Sequence, residues 1–153
     1  MRPRELFTLF ARAEAVTWTL LILGMVLKYV TQTTEMGVRV FGLLHGVVFL
    51  GYVIVVLSLW TNHRWRTTIL GRALAAGVVP FGTIWFEKWA LRRRELSGDW
   101  RMGRNGSYAY SPQERVLAWA MRNPMLAIVS ATLLVVATTG LLLLIGPPVP
   151  WAR

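Results

Sequence analysis

Four long apolar segments constrain the fold of this chain more than any other feature of its sequence. They cover approximately residues 6–27, 38–60, 69–89 and 125–145. An α-helix rises about 1.5 Å per residue, so about 20 residues cross a hydrocarbon core of about 30 Å. The segments show no period-two alternation, and in lipid only helices and closed barrels satisfy the backbone. The sequence therefore predicts an all-α polytopic membrane protein with four transmembrane helices.

The composition argues against several classes of function. The chain has no cysteine and only two histidines, which excludes disulfides, thiolate metal sites and a cysteine nucleophile. Its net charge is +10, and in a membrane protein such a charge marks loops that face the cytoplasm and anionic phospholipid. No motif for nucleotide binding, metal binding or hydrolysis is present. We therefore expect no enzymatic activity, no cofactor, no metal and no nucleic-acid partner.

A hydrophilic stretch over residues 92–123 separates the last two apolar segments. Its second half begins with Ser111, Pro112 and Glu114, which is the pattern of an N-cap, a first-turn proline and an acidic first turn. This predicts a short amphipathic helix on the membrane surface. The predicted regions are a three-helix membrane domain (1–95), a basic loop with the amphipathic helix (96–123), and a fourth transmembrane helix with a short tail (124–153).

Two further features concern the third segment and the orientation. Pro80 lies in the middle of the third segment, where it removes a backbone hydrogen bond and predicts a kink. Four spans place the 28–38 loop and the 90–123 loop on one side, and the positive-inside rule assigns that side to the cytoplasm. Both termini are then expected outside.

Polar residues inside the apolar segments are the candidate functional residues, because an ionisable group in lipid is costly. Glu14 lies near the middle of the first segment, and an antiparallel second helix would place Tyr52 at its depth. The carboxyl group would serve either as a proton or cation site or as a structural contact between two helices. His45 is expected about 10 Å away in depth, too far to pair with Glu14. It is expected level with Thr83 and packed as a helix contact.

Two glycines of the second segment are candidates for helix packing. Gly42 and Gly46 form a G-x-x-x-G pair on either side of His45. Such a pair lets a neighbouring helix approach closely.

Charged residues are expected to gather at one membrane face. The cluster comprises Lys28, Arg39, Glu87 and Lys88, and an ion pair between Lys28 and Glu87 is geometrically feasible. These side chains would contact lipid phosphates or an acidic partner, or would only anchor the helix ends. The run Arg92, Arg93 and Arg94 is interpreted as a topology signal rather than a nucleic-acid site.

The first ~95 residues also resemble a known family. The matching features, in order, are Glu14-Ala15, Leu27-Lys28-Tyr29, Gly42, His45-Gly46, Phe49, Tyr52 and Pro80-Phe81-Gly82-Thr83. In this order and spacing they resemble the DUF3817 family of small bacterial integral membrane proteins, over residues ~5–95. The resemblance implies three spans and no established catalytic residue. Some actinobacterial proteins of similar build are accessory subunits of the cytochrome bcc–aa3 respiratory supercomplex.

The resulting functional prediction is a non-catalytic accessory subunit, multi-pass in the bacterial plasma membrane. Its partners would be other integral membrane subunits, with those of respiratory complexes III and IV as the expected ones, together with anionic phospholipid. A small proton-coupled transporter that uses Glu14 is the alternative, since four spans with a central glutamate are similar to the small multidrug-resistance exporters. A transient assembly factor fits the sequence equally well.

Overall fold

The fold is all-helical, as the apolar segments predict. A computed structural model describes residues 1–101 and 111–145, and within these ranges it contains no strand. The elements are α1 (Pro3–Met25), continued by a π-helical turn (Val26–Val30), α2 (Met36–His63), α3 (Thr67–Val78), α4 (Gly82–Arg92), α5 (Pro112–Arg122) and α6 (Pro124–Ile145). By length and composition, α1 with its extension, α2 and α6 can each cross a membrane.

The hairpin of α1 and α2 has its register set by two glycines. A Cβ atom on Gly24 would lie 2.8 Å from the carbonyl carbon of Gly37, so the two backbones touch where no side chain fits. Moving about ten residues from this contact along each antiparallel helix brings Glu14 opposite Val47. His45 is therefore less than one helical turn away from the level of Glu14.

The third apolar segment is broken at its proline, which is a larger change than the predicted kink. Pro80 has no N–H to continue the helix, and Val79 before it is extended at φ −91° and ψ 128°. Phe81 then takes a left-handed conformation at φ 61°. The resulting helices α3 and α4 have 12 and 11 residues, about half of what a span needs.

Helix α4 runs back antiparallel along α3. About halfway along α3, the Arg72 guanidinium lies 5.5 Å from the centroid of the Trp89 ring of α4. At the inner end, a Cβ atom on Gly82 would lie 2.5 Å from the carbonyl oxygen of Ala76, so the tight turn requires glycine there. We call residues 67–92 the re-entrant hairpin, because the chain enters and leaves the bundle on the same side.

Three side-chain hydrogen bonds to backbone carbonyl oxygens hold the re-entrant hairpin in the bundle. They are Tyr52 Oη to Ala73 (2.8 Å), Thr83 Oγ1 to Ala11 (3.0 Å) and Trp18 Nε1 to Gly77 (3.3 Å). Because Trp18 lies near the middle of α1 and its extension, the tip of the hairpin reaches about half the depth of the bundle.

The re-entrant hairpin brings the basic parts of the chain to one surface. Arg2 Nε lies 3.7 Å from Asp99 Oδ1, and Trp100 Nε1 donates to the carbonyl oxygen of Met1 at 2.9 Å. The start of α1 and the segment after α4 are therefore neighbours. We call this surface the arginine face; it carries Arg2, Arg4, Arg64, Arg66, Arg92, Arg93, Arg94, Arg101, Arg115 and Arg122.

This arrangement corrects the predicted sidedness. The connection between α2 and α3 shares a face with α5 instead of lying opposite it, because the third segment returns instead of crossing. Helix α6 begins beside α5 and lines a groove that reaches Leu43 of α2, so it runs away from the arginine face. The N-terminal end of α1 and the C-terminal end of α6 lie at opposite faces, and the expectation that both termini share one side was wrong.

The short surface helix α5 begins as predicted. Ser111 Oγ accepts from the Glu114 backbone N–H at 3.2 Å, and the Glu114 carboxylate accepts from the Ser111 N–H at 3.2 Å. This is a reciprocal capping box. The same carboxylate is buried and lies 2.6 Å from Arg101 and 3.2 Å from Arg64, so it also ties α5 to the arginine face.

Candidate functional site

Polar and aromatic side chains lie on one face of α1, within about one turn of the helix. Glu14, Thr17 and Trp18 have the spacing that places side chains on the same side of a helix. Glu14 is fully buried, and Thr17 is 4% exposed. Neither Glu14 carboxylate oxygen has a hydrogen-bond partner among the described residues.

His45 of α2 completes this cluster. Its Nδ1 lies 3.6 Å from Glu14 Oε2 and 3.2 Å from Thr17 Oγ1, and its ring centroid lies 4.5 Å from that of Trp18. The Thr17 hydroxyl donates its hydrogen to the Glu14 carbonyl oxygen at 3.0 Å. The Thr17 oxygen can therefore only accept a hydrogen bond from His45, so the geometry assigns the imidazole proton to Nδ1. That proton points between a hydroxyl and a carboxylate.

The expectation that Glu14 and His45 lie too far apart to pair was therefore wrong. It assumed that the midpoints of the two apolar segments coincide, whereas the contact between Gly24 and Gly37 fixes another register. In this register Tyr52 lies about five residues, or about 7.5 Å, from the level of the Glu14 carboxyl group.

The other two predicted intramembrane contacts have different partners from those expected. The hydroxyl of Tyr52 donates to the Ala73 carbonyl oxygen, not to Glu14. Thr83 donates to the Ala11 carbonyl oxygen and is not level with His45. Both side chains are fully buried, and both attach the re-entrant hairpin to α1 and α2.

The glycine pair of α2 is only partly used inside the chain. A Cβ atom on Gly42 would meet Leu21 Cδ1 at 3.8 Å, whereas one on Gly46 would meet no described atom within 4 Å. Gly46 is thus available to a neighbour outside the described residues.

The predicted charge cluster is split between two faces. Lys28 and Arg39 lie near the α1–α2 loop, where Glu35 approaches them at 3.6 Å and 3.3 Å. Glu87 instead accepts a hydrogen bond from Thr8 near the start of α1. About 20 residues of α1, or about 30 Å, separate Thr8 from Lys28. The predicted ion pair between Lys28 and Glu87 was wrong, because α4 folds back towards the arginine face.

The remaining basic residues of the prediction lie on the arginine face. Lys88, Arg92, Arg93 and Arg94 are all exposed there. They lie beside the other arginines of that face, and the interpretation of the run as a topology signal stays a prediction.

Several residues of the site were not among the predicted ones. Thr17 and Trp18 could have been found from their spacing after Glu14. The contact of Thr8 with Glu87 and of Arg64 with Glu114 had no local signal, since both depend on the return of α4.

A buried carboxyl, an imidazole and a hydroxyl in contact can bind and exchange a proton. Their position at the depth of the hairpin tip, near the middle of α1, is the position that functional ionisable groups occupy in membrane proteins. The cluster is the chain's candidate functional site.

Comparison with known proteins gives a family but no activity. A relative in Streptomyces coelicolor, named "Putative membrane protein", is 50% identical over 93 residues; these cover 59% of this chain and 11% of the relative. The chain thus spans about one ninth of the length of that relative. No solved structure matches the chain. The family described as "Domain of unknown function (DUF3817)" matches residues 4–92, which include α1 to α4. The chain therefore belongs to the DUF3817 family.

Proposed function

We propose that the protein is a non-catalytic accessory subunit that docks to other integral membrane proteins, with a respiratory complex III/IV assembly as the first partner to test. The observation that carries the proposal is the exposure of the side chains of α6. None of its 22 residues is buried against the part of the chain that the structure describes. The surface of such a helix is available for packing against other membrane proteins.

The groove beside α6 is the surface that the proposal assigns to a partner helix. It has a volume of about 680 Å³ between α6 and the α1–α2 hairpin. Its lining is almost entirely apolar and includes small residues of α6, among them Ala131 and Gly140. Small residues at such a surface allow close approach of another transmembrane helix.

Affinity purification from native membranes in mild detergent, followed by quantitative mass spectrometry, tests this proposal. We expect co-enrichment of respiratory subunits with the wild-type chain. Ala131→Trp fills the groove and should abolish this enrichment, whereas Ala137→Trp on the same helix, outside the groove lining, should leave it unchanged. Absence of any enriched membrane subunit would contradict the proposal. Enrichment of partly assembled subunits alone would favour a transient assembly factor.

A second candidate function is favoured by the proximity of Glu14 and His45. A buried acid beside an imidazole is the minimal arrangement for a proton-coupled carrier. Against it, Glu14 is fully buried, and it lines neither the groove beside α6 nor the spaces along the re-entrant hairpin.

Reconstitution into vesicles with a pH-sensitive dye separates the two functions. A carrier predicts that Glu14→Gln abolishes proton flux, whereas Glu35→Gln, an exposed control in the α1–α2 loop, retains it. Flux no greater than in empty vesicles would exclude the carrier and leave the docking role.

A further inference from the structure

The re-entrant hairpin carries a cavity and a groove that share two residues. The cavity, of about 510 Å³, lies at the arginine face between the start of α3 and the end of α4. The groove, of about 620 Å³, follows the hairpin towards its tip. Arg72 and Trp89 line both, so the two spaces adjoin at this pair.

The cavity is strongly basic. Four arginines line it, namely Arg64, Arg66, Arg72 and Arg93, against one acid, Glu95. Arg64 is already paired with Glu114 at 3.2 Å. Among the described residues, no acidic side chain pairs with Arg66 or Arg93. After allowance for Glu95, the cavity retains an excess of positive charge for an anion.

Two further features of the cavity suit a phosphate. Its wall also carries His63, whose ring lies against the backbone of Leu59. Helix α3 begins beside it at Thr67 with no side-chain cap, so backbone N–H groups are free to donate there. The Arg72 guanidinium is fixed against the Trp89 ring at the inner edge.

The groove differs from the cavity in chemistry. Apart from Arg72 at its rim, its lining consists of apolar or small residues, including Ala75, Val79, Trp85 and Phe86. Trp85 is 73% exposed and Val79 is 56% exposed, although both lie near the hairpin tip within the bundle depth. An extended hydrocarbon chain fits such a surface, and a soluble anion would leave it uncovered.

We propose that the re-entrant hairpin binds one anionic phospholipid, with the phosphate in the basic cavity and an acyl chain along the apolar groove. The cationic cavity and the apolar groove meet at Arg72 and Trp89. A lipid, which joins a phosphate to acyl chains, is the ligand that fills both. A protein that requires a bound lipid at its hairpin would fold and dock only in membranes that supply it.

Native mass spectrometry of the full chain, purified in a non-ionic detergent, tests the site with defined probes. Phosphatidylglycerol should bind, phosphatidylcholine with the same chains should bind about 10-fold more weakly or worse, and glycerol 3-phosphate and inorganic phosphate should neither bind detectably nor compete. Competition by either soluble anion would show that the cavity is a site for free phosphate and would overturn the lipid assignment. Equal affinity for both phospholipids would also overturn it.

A matched pair of double variants locates the site. Arg66→Gln with Arg93→Gln removes two cavity arginines and should weaken phosphatidylglycerol binding about 10- to 30-fold, since each interfacial arginine contributes about 1 kcal/mol. Arg4→Gln with Arg92→Gln removes two exposed arginines outside the cavity and should change the affinity less than about 3-fold. Thermal unfolding of both proteins without lipid checks that they are folded. An equal loss of phosphatidylglycerol affinity in both folded variants would show that the lipid responds only to the overall surface charge, and would overturn the proposal.

Discussion

At the scale of single residues, close contacts between backbones decide which polar groups meet. Glu14 and His45 are adjacent because Gly24 and Gly37 touch and fix the register of α1 against α2. The sequence was sufficient to select Glu14 and His45 as candidates, because they are polar residues inside apolar segments. It does not show which of several glycines forms the contact, so the predicted depths were wrong by about five residues, or about one and a half turns.

Replacing Gly24 should show how much this contact contributes. Gly24→Ala places a methyl group against the backbone of Gly37, so we expect it to lower the free energy of unfolding by about 1–3 kcal/mol. Gly46→Ala is the matched control, because a Cβ atom there meets open space, and we expect it to be neutral or stabilising by about 0.5–1 kcal/mol. Denaturant unfolding in detergent micelles measures both. Equal effects of the two changes would mean that Gly24 does not set the register.

At the scale of elements, the third apolar segment shows the limit of hydropathy. Its length and composition are those of a span, and only the Pro80–Gly82 turn distinguishes two short helices from one kinked helix. A proline alone predicts a kink. A left-handed Phe81 and a glycine that fits against Ala76 convert the kink into a reversal. By contrast, α5 was predicted with its N-cap, because a capping box is a local signal.

The hydrogen bond from Tyr52 to Ala73 tests how the re-entrant hairpin is held. Tyr52→Phe removes a buried donor at 2.8 Å, and we expect about 0.5–1.5 kcal/mol less protection of α3 amides in hydrogen exchange. Ser58→Ala removes a bond of similar length that lies within α2 alone, and it should leave α3 unchanged. A loss of protection around Glu14, with none in α3, would instead support the sequence-based pairing of Tyr52 with Glu14.

At the scale of the whole molecule, the return of the third segment changes the charge distribution. Four continuous spans would divide the arginines between both sides, whereas the re-entrant hairpin gathers ten of them on one face. Lys28, Glu35 and Arg39 remain at the other face. The positive-inside rule then predicts that the arginine face lies in the cytoplasm. The all-α membrane class was predictable from the four apolar segments. The number of membrane crossings was not, because it depends on the single turn at which the third segment reverses.

Labelling of single cysteines by a membrane-impermeant thiol reagent tests the re-entrant hairpin most directly, since the natural chain has no cysteine. The three positions are Thr34→Cys, Thr67→Cys and Ser97→Cys, all at exposed residues. We predict that the cysteines at positions 67 and 97 are labelled from the same side of sealed vesicles, and that the cysteine at position 34 is labelled only from the other side. Labelling of position 97 together with position 34, and opposite to position 67, would show that the third segment crosses the membrane and would contradict this account.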